Sequence, residues 1–295
     1  MSKYVLKGWI CALLTAVIWA LYAIVMRVGL NYFENIHPIT FILQSYIISS
    51  LVLLIASGPG RLSTETLRNS FTWSYGTLQI LNNIFLMAAF SFAITATSAT
   101  LLLRIGIVIS ALISVFSGKN EVKSIFGFLF IILGVGVVFS GIDIEYKSMA
   151  VFLVFLSALT QVMQVKIAAK HKENNEATGD IKTELRVTGY VVAITASAYV
   201  FLLSLALMVG LDGYVSGILP TAKEVFSLNS FGLALLTGIF IISSMKYCMF
   251  YSTKIIGSTN FLVVVAFTPL LTIIIEKVLE SFGILANSSL SLFNI

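Results

Sequence analysis

Charge is scarce in this chain: Asp, Glu, Lys and Arg make up 11% of its 295 residues, against about 25% in soluble domains. So little charge cannot cover a water-facing surface, which excludes an ordinary soluble globular fold. Proline is held to four residues and cysteine and histidine to two each. Cys11 and Cys248 both fall inside apolar runs, where their spacing suggests neither a disulfide framework nor a metal site, and they read as buried free thiols. His37 and His171 fall in separate polar connections, and His171 is expected at the surface. No H-E-x-x-H and no paired intramembrane carboxylate is present, so the residue sets of metal-dependent or acid–base catalysis are missing. No catalytic, metal or cofactor site is expected. A net charge of +5 would suggest nucleic acid in a soluble protein; here it bears on topology, and no nucleic-acid partner is expected.

What the chain has in excess is apolar sequence, 58% of residues. The pattern predicts an all-α polytopic membrane protein, with the lipid bilayer as its partner and nine spans at 8–29, 38–57, 71–93, 98–117, 124–141, 147–169, 187–210, 231–255 and 258–279. The longest connections, 170–186 and 211–230, leave no room for a soluble domain. The first run is too long and lacks the small-residue cleavage site of a signal peptide, so it reads as a retained span. With the N-terminus inside, twelve of the eighteen basic residues fall on the inner side, four outside and two within spans. The positive-inside rule therefore favours a cytoplasmic N-terminus, an orientation that impermeant labelling of a cysteine placed at position 174 checks: labelling from outside intact cells contradicts it.

The spans repeat. At an offset of 160, Ser98 falls on Ser258, Leu102 on Leu262 and Ile113 on Ile273. At an offset of 142, Thr15 falls on Ser157, Ala16 on Ala158 and Trp19 on Gln161. Two repeats follow, 1–146 with five helices and 147–295 with four visible.

Polar residues within the spans are the candidates for function. Arg104 stands in the run SATLLLRIGIVISALISVFS, where an arginine near the bilayer centre costs about 2.5–3.5 kcal/mol on insertion scales and so faces a protein interior or a wet cavity. Lys246, followed by Tyr247 and Tyr251, stands near the middle of the eighth span. Trp19 and Tyr22 lie three apart on one helical face at mid-depth. Gln44 sits one to two turns into the second span, Gln79 and Asn82 share a face of the third, and Gln161 and Gln164 share a face of the sixth. Arg104 and Lys246 are expected to flank one cavity that binds the negative group of an anionic or zwitterionic solute by charge-assisted hydrogen bonds, the amides and aromatics completing a small-molecule site. Glu276 is expected at the membrane interface, and no acid is expected deep in the first eight spans. The glycines of GFLFIILGVGVVFSG suit close helix approach, within the chain or in a homodimer.

In these features the chain resembles the drug/metabolite transporter superfamily, and in particular its bacterial EamA-type members. The resemblance rests on the opening GWICALLTAVIW, the polar turn SGKNEVKS after the fourth span, the glycine-rich fifth span and Pro269 in FTPLL. It implies two inverted five-helix repeats, secondary transport of a small metabolite by alternating access, no enzymatic activity and a place in the cell (inner) membrane. The chain departs from it at Ile109, where a proline is usual, and at Gln44, where many members carry arginine. Ten spans are usual, so a tenth is expected to be missing after SSLSLFNI. A basic residue in the fourth span, Arg104, is also a feature of nucleotide-sugar transporters of the same superfamily, which makes antiport of a nucleotide sugar or phosphorylated solute the alternative. A non-transporting scaffold or an intramembrane enzyme is the alternative of another class.

Overall fold

The computed structural model describes residues 3–33, 36–58, 60, 64–92, 94–116, 144–176, 180–211 and 219–283. Among them the ordered elements are helices. These are α1 (Lys3–Tyr32), α2 (Pro38–Ser57), α3 (Thr64–Arg68), α4 (Ser70–Phe90), α5 (Ala96–Leu102), α6 (Ile105–Phe116), α7 (Ile144–Lys170), α8 (Lys172–Glu176), α9 (Ile181–Met208), α10 (Ala222–Val225), α11 (Leu228–Leu236), α12 (Ser243–Ile256), α13 (Ser258–Val265) and α14 (Thr268–Ser281). A π-helical segment, Thr237–Ile242, joins α11 to α12. Six helical stretches are long and apolar enough to cross a membrane: Tyr4–Leu30, Pro38–Ser57, Ser148–Lys170, Ile181–Met208, Ala222–Ile256 and Ser258–Ser281. The chain is an all-helical, multi-pass membrane protein.

The helix starts follow from local chemistry. Pro38 opens α2, where a missing N–H goes unnoticed, and the His37 ring accepts the Ile39 N–H at 3.3 Å. Asn69 caps α4, Thr95 caps α5 and Asp180 caps α9 through their side-chain oxygens, each satisfying donors that a first turn leaves open.

The expected third span is a full helix, α4, with its polar residues Gln79, Asn82 and Asn83 buried. Two expectations change on the structure. The fourth span is two helices, α5 and α6, broken at Leu103–Arg104. The seventh begins at Ile181, six residues early, and carries Glu184 into the interior at 3% exposure. The expected fifth span at 124–141, with its small-residue surface, and the place of a tenth lie outside the described residues.

Buried residues form one large cluster around α1, α2, α4 and α5 and a second around α1, α4, α7, α9, α12 and α13. The main pairings are α4 with α7, α2 with α9, α1 with α12 and α5 with α14. Small residues set two further approaches, of α4 to α9 and of the π segment to α2. A Cβ on Gly76 would lie 2.2 Å from Thr195, and one on Gly238, in the π segment, 2.7 Å from the Ser45 carbonyl oxygen.

His171 corrects the expectation of a surface residue. It is fully buried between α7 and α8, its Nε2 lies 3.1 Å from the Thr72 hydroxyl, and its ring meets the Phe250 ring edge-on at 6.1 Å between centroids. Burial pushes its pKa down from 6.5 to about 4, so the folded protein holds it neutral. The unfolded chain takes up the proton first as pH falls, and stability is full above about pH 6.5 and lost between there and about pH 4. The loss from this residue is on the order of 3 kcal/mol at most. His171→Gln is therefore expected to flatten the fall in Tm across that window; an unchanged pH profile would contradict this.

Candidate functional site

The site is built on two broken helices. The α5–α6 break at Leu103–Arg104 and the α13–α14 break at Ala266–Phe267 leave carbonyls without a following turn to bond them. α5 packs on α14 and α6 on α13, so the two broken helices run antiparallel with their breaks side by side. Arg104 joins them. Its Nε donates to the Thr100 carbonyl at 3.0 Å and its Nη1 to the Val265 carbonyl at 2.6 Å. It is 8% exposed, and its charge sits at the C-terminal, partially negative ends of both α5 and α13. Two of its five N–H donors are used on these carbonyls, and the same side chain lines a cavity.

The opposite end of α5 holds the matching charge. Glu276, on α14, accepts the backbone N–H groups of Ala96 and Thr97, each at 3.2 Å, and the Thr97 hydroxyl. It also pairs with Arg27 of α1 at 2.8 Å. The expected interfacial carboxylate is thus buried, 3% exposed, because the open first-turn donors of α5 and the Arg27 side chain draw it inward. α5 carries a negative side chain at its positive end and a positive one at its negative end.

Beside Arg104 lies a small cavity of about 20 Å³, lined by Trp19, Tyr22, Asn82, Asn83, Arg104 and Gln161 among others. That volume holds about one water. The lining is held in place by its own bonds: Ser157 of α7 donates to the Asn82 side-chain oxygen at 2.7 Å, and the Asn83 amide donates to the Tyr46 hydroxyl at 2.6 Å. Trp19 packs edge-on against Phe261. The Tyr22 hydroxyl, fully buried, has no hydrogen-bond partner in the described structure, an arrangement that costs about 1–3 kcal/mol unless a water or ligand meets it.

Five of the ten residues selected from sequence therefore meet in one place: Trp19, Tyr22, Asn82, Arg104 and Gln161. Lys246 does not line that cavity, and the expected single cavity flanked by both cations is replaced by two neighbouring polar sites. Lys246 is 1% exposed, with its ammonium 5.4 Å from the Tyr46 ring centroid, and it forms no salt bridge among the described residues. Gln79 lies beside Tyr46, its side-chain carbonyl oxygen without a partner. Gln164 lies beside Tyr75, again with an unsatisfied amide nitrogen. Tyr46, Tyr22 and Asn83 link this second cluster to the first. Gln44 is elsewhere, donating to the Val225 carbonyl and accepting from Ser230, both at 3.0 Å, so it ties α2 to the α10–α11 turn.

Tyr247 is elsewhere too, in a network at the other end of α1. It accepts from Lys7 at 3.0 Å and donates to Glu184 at 3.3 Å, while Glu184 pairs with Lys254 at 2.9 Å. Lys7 and Arg27 are twenty residues apart on α1, about 30 Å along its axis, so the cavity lies between two ion-paired ends. Of the two acids in these pairs, Glu184 escaped the sequence reading because the seventh span was started too late, and Glu276 was read as interfacial because it lies near a span end. Asn83, beside Asn82, was the one missed residue that the sequence could have supplied. Among the described residues no three His, Cys, Asp or Glu side chains come together in a way that could hold a metal ion.

No family model and no curated protein matches this chain. Among solved structures, a chain described only as "Crystal structure of protein" superposes with a TM-score of 0.61 over 98% of this chain and 91% of its own length, at 15% identity. The likeness shows a fold already seen in another protein and carries no function.

Removing either partner of a buried pair costs about 3–5 kcal/mol by stranding the other charge. Arg27→Met and Glu276→Gln are each expected to lower the Tm, and the double substitution to lower it by less than the sum of the two. Additive losses would show that the two side chains are not coupled.

Proposed function

We propose that this protein is a secondary transporter that moves a small polar or anionic metabolite across a membrane by alternating access, on the EamA-type plan of nine or ten spans in two inverted repeats. The observation that carries this reading is the small polar cavity where the two broken helices meet, with Arg104 and Tyr22 in its wall. Discontinuous helices whose ends point at a mid-membrane site are the means by which transporters bind ions and polar solutes without exposing backbone to lipid. The Arg27–Glu276 and Lys254–Glu184 pairs hold the two ends, and a cavity with room for about one water must widen to admit a metabolite. Arg104 gives the site its preference for a negative group, since its remaining donors can form charge-assisted hydrogen bonds. The Lys246–Tyr46 cluster is the next polar station along the same path. The chain acts without enzymatic chemistry or a cofactor, and its N-terminus faces the cytoplasm.

A thermal-shift screen against amino acids, phosphorylated sugars, nucleotide sugars and polyamines, followed by flux of the stabilising solutes in proteoliposomes, tests this. An anionic or zwitterionic solute is expected to raise the Tm and to cross the membrane. Arg104→Gln is expected to weaken its binding about tenfold or more, the loss of one charge-assisted bond. Arg104→Lys should restore only part, because a point charge lacks the guanidinium fork. Stabilisation by polyamines alone, or wild-type flux in Arg104→Gln, would contradict the proposal.

A further inference from the structure

The two cysteines, 237 positions apart and the only ones in the chain, come together. Cys11 on α1 and Cys248 on α12 share one small buried cluster with Tyr251, at 5% and 7% exposure, across the seam where α1 packs on α12. Two thiols meeting by chance in a chain with so few is improbable, and their setting is not a generic core. Cys11 is one helical turn from Lys7, whose ammonium lies 4.2 Å from the Tyr251 ring centroid and bonds Tyr247 at 3.0 Å. Tyr247 leads on to Glu184 and Lys254. The thiol pair therefore sits directly inside the charged network that closes one end of the molecule, across the seam between α1 and α12.

We propose that Cys11 and Cys248 form an oxidisable pair whose disulfide staples α1 to α12 and holds that end of the protein shut. The oxidant is a peroxide. One thiolate attacks a peroxide oxygen and becomes a sulfenic acid with release of water; the second thiol attacks that sulfur, a second water leaves, and the disulfide is formed. In sum, two thiols and one hydrogen peroxide give one disulfide and two waters, and a dithiol reductant reverses the step. Formation of the disulfide is independent of what the protein transports. Its consequence, one end locked, rests on the transporter reading.

The test uses purified full-length protein in detergent or liposomes, treated with hydrogen peroxide and then with dithiothreitol. Free thiols are counted by maleimide–polyethylene glycol after denaturation, and backbone opening is followed by hydrogen exchange. Wild type is expected to pass from two reactive thiols to none while remaining monomeric on a non-reducing gel, and to recover both on reduction. Cys248→Ser and Cys248→Ala should form no intramolecular disulfide. The oxidised protein should show slower exchange in residues 3–12 and 243–254, with exchange near Glu276 unchanged. Two thiols still reactive after peroxide, or disulfide-linked dimers in place of the internal bond, would overturn the pairing. A disulfide that leaves exchange at 3–12 and 243–254 unchanged would overturn the staple. Neither readout uses solute flux, so a failure of the transport reading would show itself separately, in the flux measurement.

Discussion

A guanidinium buried among helix ends is the constraint on which this structure turns. An arginine near the bilayer centre costs about 2.5–3.5 kcal/mol before it finds partners, while each hydrogen bond involving a charged group returns about 1.5–3 kcal/mol. Arg104 has two such bonds, to carbonyls of Thr100 and Val265, and those carbonyls are free to accept because both helices break beside it. The charge and the breaks justify each other. Without Arg104 two helix C-termini would face one another in a dry interior; without the breaks the guanidinium would have only saturated helix walls. Glu276 completes the arrangement by holding the other end of α5 and the Arg27 side chain.

From this pairing follows a geometry suited to motion. The cavity beside Arg104 is lined by residues of α1, α4, α5, α7 and α14, and α1 carries Arg27 at one end and Lys7 at the other. Its Arg27 is tied to Glu276, and its Lys7 is tied through Tyr247 to Glu184. In the proposed transport cycle each end parts by exchanging its charged contacts for bonds that a solute supplies. Arg104, engaged with backbone on both broken helices, is placed to register such a solute and pass its effect to both.

Much of this was legible in the sequence, and the failures have physical reasons. Burial of Arg104 followed from the cost of its charge, and the convergence of Trp19, Tyr22, Asn82 and Gln161 followed from depth and helical face. The break at Leu103–Arg104 did not, because neither residue is a proline or glycine and the signal is carried by a carbonyl 161 positions away. Lys246 was correctly placed in the interior but assigned to the wrong chamber: depth along a span says nothing about which neighbour a side chain meets, and Tyr46 stands beside it. His171 and Glu184 were read as belonging to a solvated connection because the segment around them is charged. α9 begins earlier than its apolar run, and its first turns fold into the bundle, where Lys254 and Thr72 receive the two side chains.

The central claim is that the two ion-paired ends are alternative closures around one cavity. Spin-label distances by pulsed electron resonance test it in a Cys11→Ser/Cys248→Ser background, with one label pair at Phe33 and Phe282 and another at Tyr4 and Ile181, all exposed positions. Glu276→Gln is expected to lengthen the first distance and leave the second short, and Lys254→Gln to do the reverse. Distances at both ends that stay unchanged in both variants, or that lengthen together, would contradict the account.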